Sequence, residues 1–151
     1  MTGRLMATDQ IADCIAIREL VAGFNVAADA SDGDAAADYY VADGVFDVEG
    51  VGTFVGRHEI SGVVGSAKGL RHVTTDHIVV IEGDSAVQTC TLLLFQRSED
   101  RSRVDLVTTG SYRNELTRTP EGWRFVRREV AVDLEGTALL AKTHPAGLIE
   151  D

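Results

Sequence analysis

The chain has 151 residues, 44% hydrophobic and 25% charged, the size and balance of one globular domain with a sizeable core rather than a disordered or two-domain chain. Lys and Arg number 14 against 24 Asp and Glu, a formal net charge of −10, and no basic block interrupts this excess, so nucleic acid is not an expected partner. The longest apolar run, Leu92–Phe95, is far too short to span a bilayer, and Met1–Met6 carries no apolar signal segment, so a cytoplasmic protein without membrane association is expected.

From Asp9 to Asp29 the residues Ile17, Leu20, Val21, Phe24 and Ala28 recur at helical spacing, with Arg18, Glu19 and Asn25 between them. This predicts an amphipathic helix with Thr8 or Asp9 as its N-cap. Ser31–Asp34 breaks the pattern and offers a capping box for a short Ala-rich second helix, which Tyr39 and Tyr40 would close with their hydroxyls toward water. Val45–Val48 and Thr53–Val55 favour strands and flank Glu49-Gly50-Val51-Gly52, a small hairpin. Ile60, Val63 and Val64 support a short third helix within 56–68, where His58 is a surface residue.

After Gly69 the chain reads as long strands over about 71–82, 85–97, 103–118 and 123–134, and Thr119-Pro120-Glu121-Gly122 is a turn signature. Long strands with short connections form an antiparallel meander, which must bury its apolar face under the N-terminal helices. The expected class is α+β: one domain over 1–151, a strongly curved antiparallel β-sheet with helices packed on its concave face. Its core spans about 9–134, and a tail from 135 to 151, including His144, is either a pocket flap or frayed.

Such a fold encloses a conical cavity, the natural place for a small ligand. Strand alternation puts His72, Thr74 and Asp76 on one face and Val73, Thr75 and His77 on the other, if no bulge intervenes. On the last strand Arg128, Val130 and Val132 share a face, a cation beside apolar wall residues, while Arg127, Glu129 and Asp133 face away. Asp29 stands where the helix dipole disfavours a carboxylate, so its position calls for another partner. A carboxylate bound to one imidazole nitrogen fixes the tautomer and raises the basicity of the other, which makes His72 the candidate base. The bland alternative is a solvated Asp29 and a histidine satisfied in the core. Cys14 and Cys90 read as small buried hydrophobes, the histidines are too scattered for an obvious metal site, and no nucleotide-binding loop is present, so no cofactor is expected.

In order and spacing, Ala16–Leu20, Ala28-Asp29 with Asp32–Asp34, Asp43–Phe46, Gly52–Gly56, Arg71-His72, Gly83–Ala86 and Gly122–Phe125 resemble the SnoaL-like branch of the nuclear-transport-factor-like superfamily over about 9–134. The resemblance implies a cone-shaped fold. It is nearest to dehydratases and hexachlorocyclohexane dehydrochlorinase, which implies a catalytic dyad of Asp29 and His72 and a pocket arginine at Arg128. Phe24, Tyr112, Val130 and Val132 would complete the substrate wall, with Asp76 as a second polar group. Two departures stand out: Phe24 lies where such relatives carry tyrosine or lysine, and Asp76 where they often show asparagine. The implied activity is a cofactor-independent elimination, or an isomerisation, on a small apolar molecule. The alternatives are a non-catalytic binding or assembly module and a companion subunit of a ring-hydroxylating oxygenase. Self-association as a dimer or trimer through the outer sheet face is also implied.

Overall fold

A computed structural model describes residues 7–135 of the chain; the tail from 136 onward, with His144, lies outside them. The elements run α1 (Thr8–Asp29), α2 (Gly33–Ala37), β1 (Tyr40–Val48), β2 (Gly52–Val55), α3 (Gly56–Ser66), β3 (Leu70–Glu82), β4 (Ser85–Arg97), β5 (Val104–Thr119) and β6 (Gly122–Val132). One curved, unclosed six-stranded sheet has the order β2-β1-β6-β5-β4-β3, with β2 and β3 at its edges. All neighbours are antiparallel except β1 and β6, which pair in parallel, a departure from the expected all-antiparallel sheet. Its cause is the route of the chain: after the β1–β2 hairpin, α3 carries it to the far edge, and the meander β3–β6 returns to lie beside β1 in the same direction. No helix among the described residues is long and apolar enough to cross a membrane.

The helical stripe of α1 packs as its period predicts, with Ile17, Leu20, Val21, Phe24, Ala27 and Ala28 buried. Phe24 meets Tyr40, Phe46 and Phe125 edge-on, with ring centroids 5.9–6.0 Å apart, so aromatic rings from helix and sheet form the floor of the cone.

Several local expectations are corrected. The N-cap position of α1 is Ala7, without a side-chain cap, rather than Thr8 or Asp9. The cap of α2 is Asp32, whose carboxylate accepts the Ala35 N–H at 3.0 Å. Ser31 sits at φ 55 and instead donates to the Ala67 carbonyl, fastening the α1–α2 turn to the end of α3. Tyr40 does not close a helix: it opens β1, is fully buried, and keeps its hydroxyl away from water. Tyr39 packs against Gly23, where any Cβ would collide with its hydroxyl, so this glycine in mid-helix admits the tyrosine. Cys90 is buried as expected, whereas Cys14 is only half-buried.

The start of α1 is tied to the β5–β6 hairpin by Asp13, which accepts from Arg118 at 2.7 and 2.8 Å and from Trp123 Nε1 at 3.0 Å. These bonds, led by Arg118, hold the Asp13 carboxyl below the usual carboxylate range. A depressed folded-state value stabilises the fold above the unfolded value, and that contribution is lost as pH falls through the folded one. Asp13→Asn is therefore expected to lower the urea midpoint at neutral pH, and its deficit should shrink as pH drops below about 4. A deficit that persists unchanged in acid would assign the effect to packing rather than charge.

Candidate active site

Between α1, α3 and the concave sheet face lies a cavity of about 80 Å³, partly open to solvent. Its wall is mostly hydrocarbon, including Val48, Val63, Val64, Leu92, Leu94, Val130 and Val132, with Phe24 and Phe46 at its floor. His72 and Tyr112 are the lining residues with polar side chains.

His72 stands on edge strand β3, and Asp29 is the last residue of α1. One carboxylate oxygen, Asp29 Oδ1, accepts both the backbone N–H of His72 at 2.9 Å and its ring Nδ1–H at 2.7 Å. The second oxygen lies 3.6 Å from Arg71. Side-chain exposure is 9% for Asp29 and 11% for His72, so the pair is largely removed from water while the imidazole still borders the cavity. Donation from Nδ1 leaves Nε2 with the lone pair. The partner that the placement of Asp29 called for is thus the edge of the sheet.

Asp76 is not in this site. A bulge between Thr75 and Ile78, with Asp76 at φ 56, breaks the alternation and leaves Asp76 exposed. The extra residue turns the rest of β3 over, so His77 shares the inner face with His72 instead of opposing it. His77 Nδ1 accepts from Gln88 Nε2 at 3.0 Å, and Gln88 Oε1 accepts from Asn114 Nδ2. Asn114 is the cross-strand neighbour of Arg128, which completes a polar row on the inner face of the sheet.

Arg128 faces inward, as alternation predicts, but lies beneath the floor and does not line the cavity. Its guanidinium is fully buried, stacked 3.8 Å over Tyr112, 4.4 Å over Phe24 and 4.8 Å from Phe125. Its three nitrogens find no hydrogen-bond partner among the described residues. The expectation that it anchors a polar substituent directly is corrected on this geometry, because the rings it rests on separate it from the cavity.

Sequence reasoning missed Asn25, which it set on the polar side of α1. Asn25 is buried and donates to Thr74 Oγ1 at 3.1 Å, a second polar link between α1 and β3. Its spacing of one helical turn from Asp29 is the signal that would have found it. Among the described residues no group of three His, Cys, Asp or Glu is arranged to hold a metal ion.

An unclosed curved sheet wrapped around helices, with an apolar cavity at its centre, defines a cystatin-like α+β domain of the nuclear-transport-factor-like class. The sequence matches the model of the SnoaL-like domain over residues 9–129, and the chain belongs to that family. Its structure is similar to that of a nuclear-transport-factor-like protein with a cystatin-like fold from Novosphingobium aromaticivorans, at 30% identity and a TM-score of 0.74, covering 87% of this chain and 91% of that one. A protein from the same organism, provisionally named an aromatic ring hydroxylase, is 28% identical with a TM-score of 0.73, covering 82% of this chain and 91% of that one. A type 2 hexachlorocyclohexane dehydrochlorinase shares the fold at 18% identity and a TM-score of 0.73, covering 83% of this chain and 88% of that one. No curated protein matches the sequence.

A guanidinium buried without an anion carries a desolvation cost that stacking on rings only partly offsets. Arg128→Met is therefore expected to melt at or above the wild-type temperature. A loss of more than about 2 kcal/mol in unfolding free energy would show that the ring contacts outweigh desolvation.

Proposed function

We propose that this chain is a cofactor-independent lyase, with isomerisation open to the same base, acting on a small and mainly apolar carbonyl compound. The 2.7 Å hydrogen bond from His72 Nδ1 to Asp29 at the cavity wall carries this reading. His72 Nε2 takes a proton from carbon, and Asp29 fixes the tautomer and stabilises the imidazolium that forms. Hydrocarbon walls exclude water and hold the substrate by shape, so specificity comes from the outline of the ring system more than from polar contacts. The dehydrochlorinase that shares the fold is named for an elimination, which agrees with this class of reaction. Self-association belongs to the same reading: Val73, Ile78 and Val80 are exposed on the outer face of β3, an apolar strip that a second copy would cover.

The tautomer is the first test. Long-range ¹⁵N spectra should show His72 protonated on Nδ1 in the wild type, and Asp29→Ala should return it to the Nε2–H form that free imidazole prefers. An Nε2–H tautomer in the wild type would remove the base from the cavity and leave a binding module. In elimination assays on alicyclic β-hydroxy ketones, His72→Ala is expected to lose about a hundredfold or more of the rate.

A second reading, a subunit of an aromatic-ring-hydroxylating enzyme, is favoured by the 28% identical neighbour that bears such a name. Co-purification with a larger iron-containing chain from its native host would support it, and elimination by the isolated chain would not.

A further inference from the structure

The elimination above needs more than a base: when the leaving group is a hydroxyl, its oxygen must acquire a proton as the carbon–oxygen bond breaks. We propose that Tyr112 is the catalytic acid that supplies this proton, and that the leaving group is therefore an oxygen rather than a halide. The inference rests on the lyase reading and deepens it by naming the second catalytic group and the substrate class.

Three observations carry it. First, Tyr112 is the one residue lining the cavity, among those described, whose side chain carries a hydroxyl; Phe24 has no proton to give, and Tyr40, with its hydroxyl buried, does not line it. Second, Tyr112 comes from β5, paired with Cys90 and Val130, whereas His72 comes from the edge strand β3, so acid and base approach the cavity from different strands. Third, the Arg128 guanidinium lies 3.8 Å over the Tyr112 ring without a carboxylate partner among its contacts. It is placed to stabilise negative charge that appears on the phenol oxygen during donation.

The electrostatics agree with the geometry. Burial pushes the Tyr112 hydroxyl up, so the group holds its proton at neutral pH, while the neighbouring Arg128 acts in the opposite direction and eases its release. The reaction then balances within the site. His72 Nε2 takes the proton α to the carbonyl, and the C–H electron pair becomes the new C=C bond. The C–O pair leaves on oxygen, which takes the Tyr112 proton and departs as water. The imidazolium proton returns to the phenolate through that water, and both groups are restored. Arg128, which touches no reacting atom, is a positioning and charge-stabilising residue.

The test compares two leaving groups on one skeleton, 3-hydroxycyclohexanone and 3-acetoxycyclohexanone, both giving cyclohexenone; acetate leaves as an anion and needs no proton. Tyr112→Phe keeps the ring and its packing, and is expected to lower kcat/KM on the hydroxy ketone by about a hundredfold, with the acetoxy ketone nearly unaffected. His72→Ala should lower both. Equal losses on the two ketones in Tyr112→Phe would overturn the acid role.

A second measurement separates this proposal from the lyase reading. In the inactive His72→Ala background, adding Tyr112→Phe should raise the Kd of 3-hydroxycyclohexanone several-fold and leave that of cyclohexanone unchanged, because only the hydroxy ketone offers the phenol an oxygen at the leaving position. That difference without turnover of either ketone by the wild type would sink the lyase reading and leave Tyr112 as a donor. Turnover that survives Tyr112→Phe, with no difference in Kd, would sink the acid and leave the lyase. Failure of the wild type to bind the ketone would overturn both.

Discussion

The closure of helix α1 against the edge of the sheet depends on one carboxylate. Asp29 Oδ1 accepts the backbone N–H of His72, a donor at the edge of a sheet that has no strand beyond β3 to take it, and in the same place accepts the ring Nδ1–H. An edge N–H left unpaired and largely buried is costly, and a carboxylate left without donors is more so. Together they satisfy one another, and the geometry that does so also turns the imidazole toward the cavity. Backbone closure and ring orientation are thus one constraint. The Asn25–Thr74 bond, one helical turn away, repeats the link in neutral form and keeps the helix at its angle to β3.

Beneath the cavity the interior is more polar than its walls suggest. Arg128, Asn114 and Gln88 are all fully buried, and only the amide pair and His77 exchange hydrogen bonds along the row. Asn114 Oδ1 and the guanidinium nitrogens have no partners there. Local rules of satisfaction are broken most often where a protein does chemistry, and here they break directly under the aromatic floor of the cavity.

What the sequence made legible follows from periodicity. Ile17, Leu20, Val21 and Phe24 repeat at helical spacing because they share one buried face, and the long alternating runs after Gly69 became four strands whose ends differ little from those expected. Asp29 was readable because its place at a helix terminus made no local sense. The failures share a cause as well. Alternation assigns polar residues outward by default, so Gln88 and Asn114 were invisible as core residues, and Asn25 was set on the wet side of α1. Tyr40 was missed because an Ala-rich segment promised one more helical turn, while burial against Phe24 and Phe125 drew the residue into β1. Asp76 was misplaced because a bulge leaves no trace in a pattern of period two.

That bulge makes β3 two separately aimed pieces joined by a one-residue swivel. Up to Thr75 the strand serves the cavity; beyond Asp76 it serves the polar row through His77. Drawing Asp76 into the ladder as a regularly paired residue would restore strict alternation and turn over only the far piece, sending Ile78, Val80 and Glu82 inward and His77 out to solvent, with His72 still seated against Asp29. The swivel therefore insulates the two halves from each other: the far end of β3 can be remodelled, lengthened or re-paired without re-aiming the histidine.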